Sequence, residues 1–320
     1  MTKFIIKRLL MLIPVLLGIS FILFSIMNLT PGDAATLLLG DSSKPEAVEM
    51  LREELGLNGG FFERYFNYVG NILLRGDFGI SYRTKNPVFT EVFTRFHYTL
   101  RLAFAAIAIS SVLGVLLGIL SAIKQYTAPD NIITAITLGL TSMPDFWLGL
   151  MLIILFAVKL RILPISGATS WKHFLLPGFT AAANYLANTI RMSRSSMLEV
   201  SRMDYIRTAR AKGVPEKDVI FKHTFKNALM PIVTLVGVNM GWQLGGTIII
   251  EQIFGIPGIG SLMIQSIRLK DVPVVIGCVM FVALLSSLIN LATDIVYMYI
   301  DPRLRAQFAT VKKKAVTAND

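Results

Sequence analysis

Ten residues, Asp204-Tyr-Ile-Arg-Thr-Ala-Arg-Ala-Lys-Gly213, join an acidic helix start, small alanines, three cations and a terminal glycine. They lie in a basic polar stretch, Arg191 to Asn227, between two long apolar runs. The chemistry such a set supports is docking. Asp204 suits an N-cap with its charge at the positive helix end, and Gly213 suits a left-handed stop. Tyr205 to Lys212, Thr208 among them, are mostly helix formers. Pro215 can occupy the first turn of a second helix, with Glu216 and Asp218 complementing its dipole. The expected shape is two short helices around Gly213-Val-Pro215. Ala209 and Ala211 allow close approach by another protein, while Arg207, Arg210 and Lys212 can pair with acidic groups on it. A basic loop that only sets topology or touches anionic lipid would account for the charge, but not for the Ala and Gly pattern.

Other chemistries have little to work with. His97, His173 and His223 fall in three separate segments, and the lone cysteine, Cys278, lies in an apolar run where it packs as a small apolar group. No Gly-Lys dipeptide occurs, so there is no Walker A phosphate loop. A second pointer is polar or helix-breaking residues at membrane depth. Pro144 should kink its helix beside Asp145 and Phe146, and Asn239, Trp242 and Gln243 stand among Gly241, Gly245 and Gly246, which permit close helix packing. Glu251, Phe254, Ile256 and Ile259 follow in a Gly- and Pro-rich turn. These ten polar, aromatic and apolar positions are the candidates for a translocation path or its gate.

The elements that position them belong in lipid. Apolar residues make up 54% of the 320 and charged residues 16%, with mean hydropathy +0.62, which is too apolar for one soluble domain of this length. Six runs can cross ~30 Å of hydrocarbon: Leu9–Thr30, Leu102–Ile123, Ile132–Val158, Phe174–Ile190, Ala228–Ile250 and Val272–Ala292. With the N-terminus inside, the inner segments gather 18 of the 31 Lys and Arg, so both termini are read as cytoplasmic. The formal charge of +11 is then mostly topology, and nucleic acid is not an expected partner. The expected fold is an all-α integral membrane protein. Residues 1–30 form an inner N-terminus and first span, 31–101 an extracytoplasmic segment of about 70 residues, 102–300 the core with five further spans, and 301–320 a cytoplasmic tail.

The outer segment is expected to cap the outer mouth. Pro31-Gly-Asp33 stops the first span, Pro45 to Leu55 has helical spacing, and Gly56 with Asn58-Gly-Gly60 ends that helix. Phe61 to Val69 is an aromatic amphipathic stretch suited to the headgroup region, and Gly76-Asp-Phe-Gly79 is a turn. A second outer hairpin, Glu251–Asp271, should fold back on the spans, with a short helix over Ser261–Lys270 that turns Leu262, Ile264 and Ile267 inward.

Ala209 followed four residues on by Gly213 resembles the cytoplasmic loop of permease subunits in binding-protein-dependent ABC importers. Where the general motif has a glutamate and two alanines, this chain has Arg207, Thr208 and Ala209; Lys226 stands at its first proline and only the later one, Pro231, is present. Ile6-Lys-Arg-Leu with Ile13-Pro14, Pro31-Gly-Asp33, Leu55-Gly-Leu-Asn58, Gly76-Asp-Phe-Gly-Ile-Ser81, Pro144 with Phe146-Trp147, Glu251 to Gly260 and Asp301-Pro-Arg303 are similar to the first permease of the dipeptide, oligopeptide and nickel importer class.

That resemblance covers nearly the whole chain and implies a bacterial or archaeal cytoplasmic-membrane subunit. Its implied partners are a second homologous permease, two cytoplasmic ATP-binding subunits and an extracytoplasmic solute-binding protein, besides lipid. It implies no catalytic residue, metal or cofactor in this chain, ATP and Mg belonging to the partner subunits. The elbow around 204–221 would be the coupling helix in an ATPase groove. Peptide is the implied cargo, with nickel or another metal chelate as the alternative. An ion-coupled secondary transporter would need paired ionisable groups at the midplane and inverted repeats. Only Asp145 lies within a span and no repeat is present.

Overall fold

In lipid the backbone must satisfy its own hydrogen bonds, and apolar runs of this length do so as helices. The computed structural model describes residues 2–40 and 44–300, and within them it is helical, with no strand beyond one isolated bridge between Ile80 and Pro87. Asp301-Pro-Arg303, the rest of the tail and the side chain of Trp242 lie outside the described residues.

Among the described residues three helices contain stretches long and apolar enough to cross a membrane: α1 (Thr2–Leu29), α5 (Val88–Ile123) and α14 (Val272–Ile300). A fourth span arises if α6 (Ala128–Ser142) and α7 (Asp145–Leu152), the latter continued by π-helical turns over Ile153–Lys159, count as one. The expected kink at Pro144 is a break. Pro144 is extended (φ −61°, ψ 139°) and the helix restarts at Asp145, because proline lacks the N–H and disfavours helical geometry in the residue before it.

The fourth and fifth expected spans correspond to α8 (Leu175–Ser201) and α11 (Lys226–Gly246), roughly 40 and 31 Å long at ~1.5 Å per residue. Neither is among the helices apolar enough to qualify on its own. In α8 the reason is visible: Thr180, Ala182, Ala183, Ala187, Thr189 and Ser193 are wholly buried, so small and hydroxyl residues face protein where a lipid-facing helix would carry leucines. α8 also continues unbroken through Arg191 to Ser201. The polar stretch is therefore not all loop, as its charge suggested, and the elbow proper begins only after Ser201.

Contacts divide the chain into two compact units. The first comprises Met1–Ala106, Met143–Ala181 and Gln243–Leu285. Asp33 caps α2 (Ala34–Leu39), a helix the sequence pattern did not single out, by accepting from the Thr36 amide at 3.2 Å. α3 (Pro45–Glu54) matches its expected bounds, and α4 (Phe61–Arg75) runs past the aromatic stretch to a left-handed stop at Gly76. Phe61 and Tyr65 of α4 pack edge-on against Phe21 and Phe24 of α1, and the Tyr65 hydroxyl lies 3.1 Å from that of Ser20. A second core joins Val88, Val92, Ile259, Leu262, Val274 and Cys278. Gly277 permits it, since a Cβ there would come within 2.4 Å of Val88.

The second unit comprises Ile107–Ser142, Ala182–Trp242 and the described part of Ser286–Asp320. Gly114 and Gly118 of α5 seat Thr189 and Ser193 of α8 so closely that a Cβ at either glycine would lie 2.6 or 2.5 Å from the facing Cβ. This is small-xxx-small helix packing. One carboxylate fastens the α5–α6 turn to α8. Asp130 accepts from Arg194 Nε and Nη2 at 2.9 and 2.8 Å, from the Tyr126 amide at 2.9 Å and from the Ser121 hydroxyl. Neither feature shows in the residue spacing, which draws attention to the glycines of α11 instead.

Candidate functional site

The elbow belongs to the second unit and is built by backbone geometry first. α9 spans Asp204–Ala211. Its cap is Met203, in extended conformation, so Asp204 is the first helical residue and acts through its charge near the positive end, not as the expected side-chain cap. At the other end Gly213 is left-handed (φ 77°), its amide donates to Arg210 O at 2.9 Å and the Val214 amide donates to Ala209 O at 3.2 Å. That pair of bonds is a Schellman stop, which a β-carbon would strain. Pro215 caps the following turn from outside, one residue earlier than expected, and Glu216–Asp218 (α10) runs into π-helical turns over Val219–Phe225.

Side chains then lock the corner. Arg210 reaches back to Glu216 with Nε and Nη2 at 3.2 and 2.8 Å, a two-pronged pair that holds the Glu216 carboxyl below its ordinary value. Arg210 thus acts as an internal strut, its charge paired within the elbow while the side chain stays partly exposed. Beneath the pair lies a cavity of about 230 Å³ lined by Ala122, Met197, Ile220 and Thr224 among others. Val219 is fully buried, and Ile220 and Phe225 pack on the cluster of Ile119, Met197 and Ala228. The π-helical segment therefore ties the elbow to α5 and α8.

What remains outside is a charged face. Asp204, Tyr205, Arg207, Thr208, Ala211 and Lys212 are exposed, whereas Ala209 is half-buried and Ile206 is completely covered. Arg207 approaches Asp204 only to 4.0 Å with both side chains in water, so it stays available to a partner. Ile206 was overlooked because one isoleucine among polar residues shows no periodicity.

The Glu251–Asp271 hairpin belongs to the first unit and is organised by Glu251, on α12 (Ile248–Ile253). This carboxylate is wholly buried. It accepts from the Thr99 and Thr247 hydroxyls at 2.7 and 3.3 Å, from the Ser261 amide at 3.0 Å and from the Gly260 amide. Thr99 in turn accepts from the Ile259 amide at 2.9 Å. Gly258 makes the arrangement possible: a Cβ there would sit 2.4 Å from the Glu251 carboxylate. Phe254, Ile256 and Ile259 are buried, and Phe254 lies on Gly149 of α7, with its carbonyl accepting from Gly167 N at 3.0 Å.

Some positions differ from expectation. α13 covers Ile259–Arg268, starting two residues ahead of the expected helix, and its buried face includes Ile259, Leu262 and Ser266. Ile267 points outward and Ile264 is only half-buried. Lys270 and Asp271, which the pattern treated as boundary residues, are both buried. The Lys270 ammonium donates to Gly32 O at 2.6 Å and to Thr30 O, and Asp271 accepts from Ser81 Oγ at 2.6 Å.

The path candidates fall in both units. Gln243, in the first unit, is buried and donates to Ala181 O at 3.1 Å, with no donor to its Oε1 among the described residues. In the second unit Asn239 is buried and its Nδ2 has no acceptor among the described residues. Pro144 and Phe146 are exposed at the α6–α7 break, and Asp145 is half-buried in the first turn of α7, where the helix dipole favours its charge.

Described residues that are helical throughout, with membrane-length helices and a braced, exposed elbow, have the features of a transporter's membrane subunit. Residues 114–306 match the model of the binding-protein-dependent transport system inner membrane component, and residues 1–103 match that of its N-terminal part. The chain belongs to this family, and is a multi-pass inner-membrane permease component of an ABC importer. It is 38% identical over 305 residues to the glutathione transport system permease protein GsiC of Escherichia coli (strain K12), covering 95% of this chain and 99% of that one. The same figures hold for GsiC of Shigella flexneri serotype 5b (strain 8401). The fold is shared with the inward-facing MetNI methionine ABC transporter at 17% identity and TM-score 0.54, over 67% of this chain and 97% of that one. It is shared with an amino acid ABC transporter solved with histidines at 16% identity and TM-score 0.52, over 67% and 94%.

Proposed function

We propose that this chain forms half of the translocation path of an ATP-driven importer of short peptides. The observation that carries the cargo assignment is its end-to-end similarity to a permease named for glutathione, itself a tripeptide. In this reading the chain crosses the membrane six times with both ends inside, residues 31–101 lie outside, and 102–300 form the core. A second homologous permease supplies the other half of the path.

Coupling falls to the elbow. The exposed face of α9 seats in a groove of one of two cytoplasmic ATP-binding subunits. The Schellman stop and the Arg210–Glu216 strut make the corner stiff, so that closure of the ATPases on ATP and Mg moves α8 and the π-helical segment with it. An extracytoplasmic binding protein delivers peptide to the outer side, where the Glu251 hairpin gates entry. Pro144, Asp145, Phe146, Asn239, Trp242 and Gln243 are the path positions. No bond is made or broken in this subunit.

Reconstitution with candidate partners tests the reading. The full complex should take up labelled di- and tripeptides with ATP, and the lone chain should show neither ATP hydrolysis nor uptake driven by a proton or sodium gradient. Nickel-chelate uptake without peptide uptake would replace the cargo, and gradient-driven uptake by the lone chain would replace the mechanism.

A further inference from the structure

We propose that the outer segment holds a binding site for the phosphate of an anionic lipid headgroup, formed by Arg52, Arg64, Lys270 and the Tyr82 hydroxyl around the end of α1. A cavity of about 240 Å³ lies there, bounded also by Phe24, Met27 and Asn28 of α1 and by Asp33. Its volume is below the ~300–1,000 Å³ of sites that enclose whole small molecules, which suits a head group whose remainder lies elsewhere.

Charge indicates the ligand's sign. Three cations line the cavity against one carboxylate, Asp33, which approaches Arg52 Nε only to 3.7 Å. That Nε is buried without a hydrogen-bond partner among the described residues. Arg52 Nη1 has a second distant carboxylate, Glu49, at 3.8 Å. Arg64 is held over the Phe24 ring at 5.6 Å and donates Nη1 to Leu57 O at 3.2 Å, which leaves most of its N–H groups uncommitted to that bond. Lys270 spends two donors on the carbonyls of Thr30 and Gly32 and keeps a third. The Tyr82 hydroxyl is protonated at neutral pH, as an ordinary phenol is, and burial pushes it further up, to about 12. Converging donors with incomplete counter-charge are stabilised by an oxyanion, and guanidinium pairs phosphate with particular strength.

Position indicates the source. The apolar stretch of α1 that can cross a membrane ends at Leu29, and Phe24, Met27 and Asn28 on its last turns form one wall of the cavity. α4 packs on those turns through Phe61 and Tyr65 while Phe62 and Phe66 stand exposed and stacked, ring centroids 6.4 Å apart. Exposed aromatics beside the end of a span mark headgroup depth, so the nearest abundant oxyanion is lipid phosphate.

The test is native mass spectrometry of the delipidated full complex titrated with dioleoyl phosphatidylglycerol, alongside thermal shift with inorganic phosphate. Wild type should retain a lipid that Arg52→Gln and Arg64→Gln bind about tenfold more weakly. Tyr82→Phe, which keeps the ring packing, should weaken retention by a few-fold. Arg64→Lys should recover part of the loss, a guard against misfolding of the glutamine variant. Equal retention in folded Arg52→Gln and Tyr82→Phe would overturn the site. Stabilisation by inorganic phosphate with lipid retention unchanged across the variants would overturn the lipid source. The readout involves neither peptide nor ATP, so it stands apart from the transport assignment.

Discussion

In the elbow the charged side chains stand in water and two apolar residues, Ile206 and Val219, are fully covered; in the Glu251–Asp271 hairpin Phe254, Ile256, Ile259 and the Glu251 carboxylate are all buried. The elbow's shape comes from backbone hydrogen bonds between neighbours in sequence, closed by one solvent-exposed ion pair. The hairpin's comes from a carboxylate that gathers groups as distant as Thr99 and Ser261. A surface meant for a protein partner must be pre-shaped without consuming the groups it presents. A segment that closes a path must satisfy its polar groups internally, or the closed state would be costly.

The sharpest way to break the comparison is Gly258→Val. With a Cβ 2.4 Å from the Glu251 carboxylate, the network cannot form, and the loss should be on the order of 3 kcal/mol or more, seen as a lowered unfolding midpoint in detergent and abolished uptake. Wild-type stability in this variant would show that Glu251 does not organise the hairpin.

Next in size is accessibility. Cysteines at Ile256 and Ile259 in a Cys278→Ala background should resist an outside thiol reagent in the state described here, since both positions are buried, and should label in ATP-trapped complexes. Identical labelling in both states with uptake intact would make the hairpin a static plug.

Gly213→Val acts on the elbow by forcing a left-handed β-branched residue at ~1–2 kcal/mol or more. Membrane insertion should be normal while pull-down of the ATP-binding subunit and peptide uptake fall together. Full uptake and full pull-down in that variant would detach α9 from coupling.

The smallest effect concerns the strut. Arg210 holds the Glu216 carboxyl below its ordinary value, so its stabilisation is present above the unfolded value of ~4.3 and is lost as pH falls through the lower folded value. Both partners are largely exposed, which limits the contribution to about 0.5 kcal/mol. Glu216→Gln should therefore remove a small acid-side stability difference and reduce the coupling ratio, peptide moved per ATP, by less than Gly213→Val does. An effect as large as that of Gly213→Val would mean that Glu216 itself meets the partner.

Several features were legible without coordinates because their causes are local. Apolar runs of spanning length, α3 from Pro45, the stop at Gly213 and the fold-back of Phe254 to Gly260 follow from hydropathy, proline and glycine. Local chemistry misled where two local options compete: Asp204 could cap or sit first in α9, and Pro144 could kink or break its helix. Arg210 looked like a docking cation because sequence shows its charge but not Glu216 folding back across Gly213 and Pro215.

The composition and order of the chain alone determined that it is helical, lives in a membrane and turns sharply at Gly213, since each rests on interactions spanning only a few residues or on bulk transfer to lipid. Only the tertiary structure decided that Glu251 ties Thr99 to Ser261, that Gly114 and Gly118 seat α8, that Asp130 clasps Arg194, and that Arg52, Arg64 and Lys270 converge on one cavity. Each of those joins residues far apart in the chain, and such contacts are set by how helices pack, which residue spacing does not encode by itself.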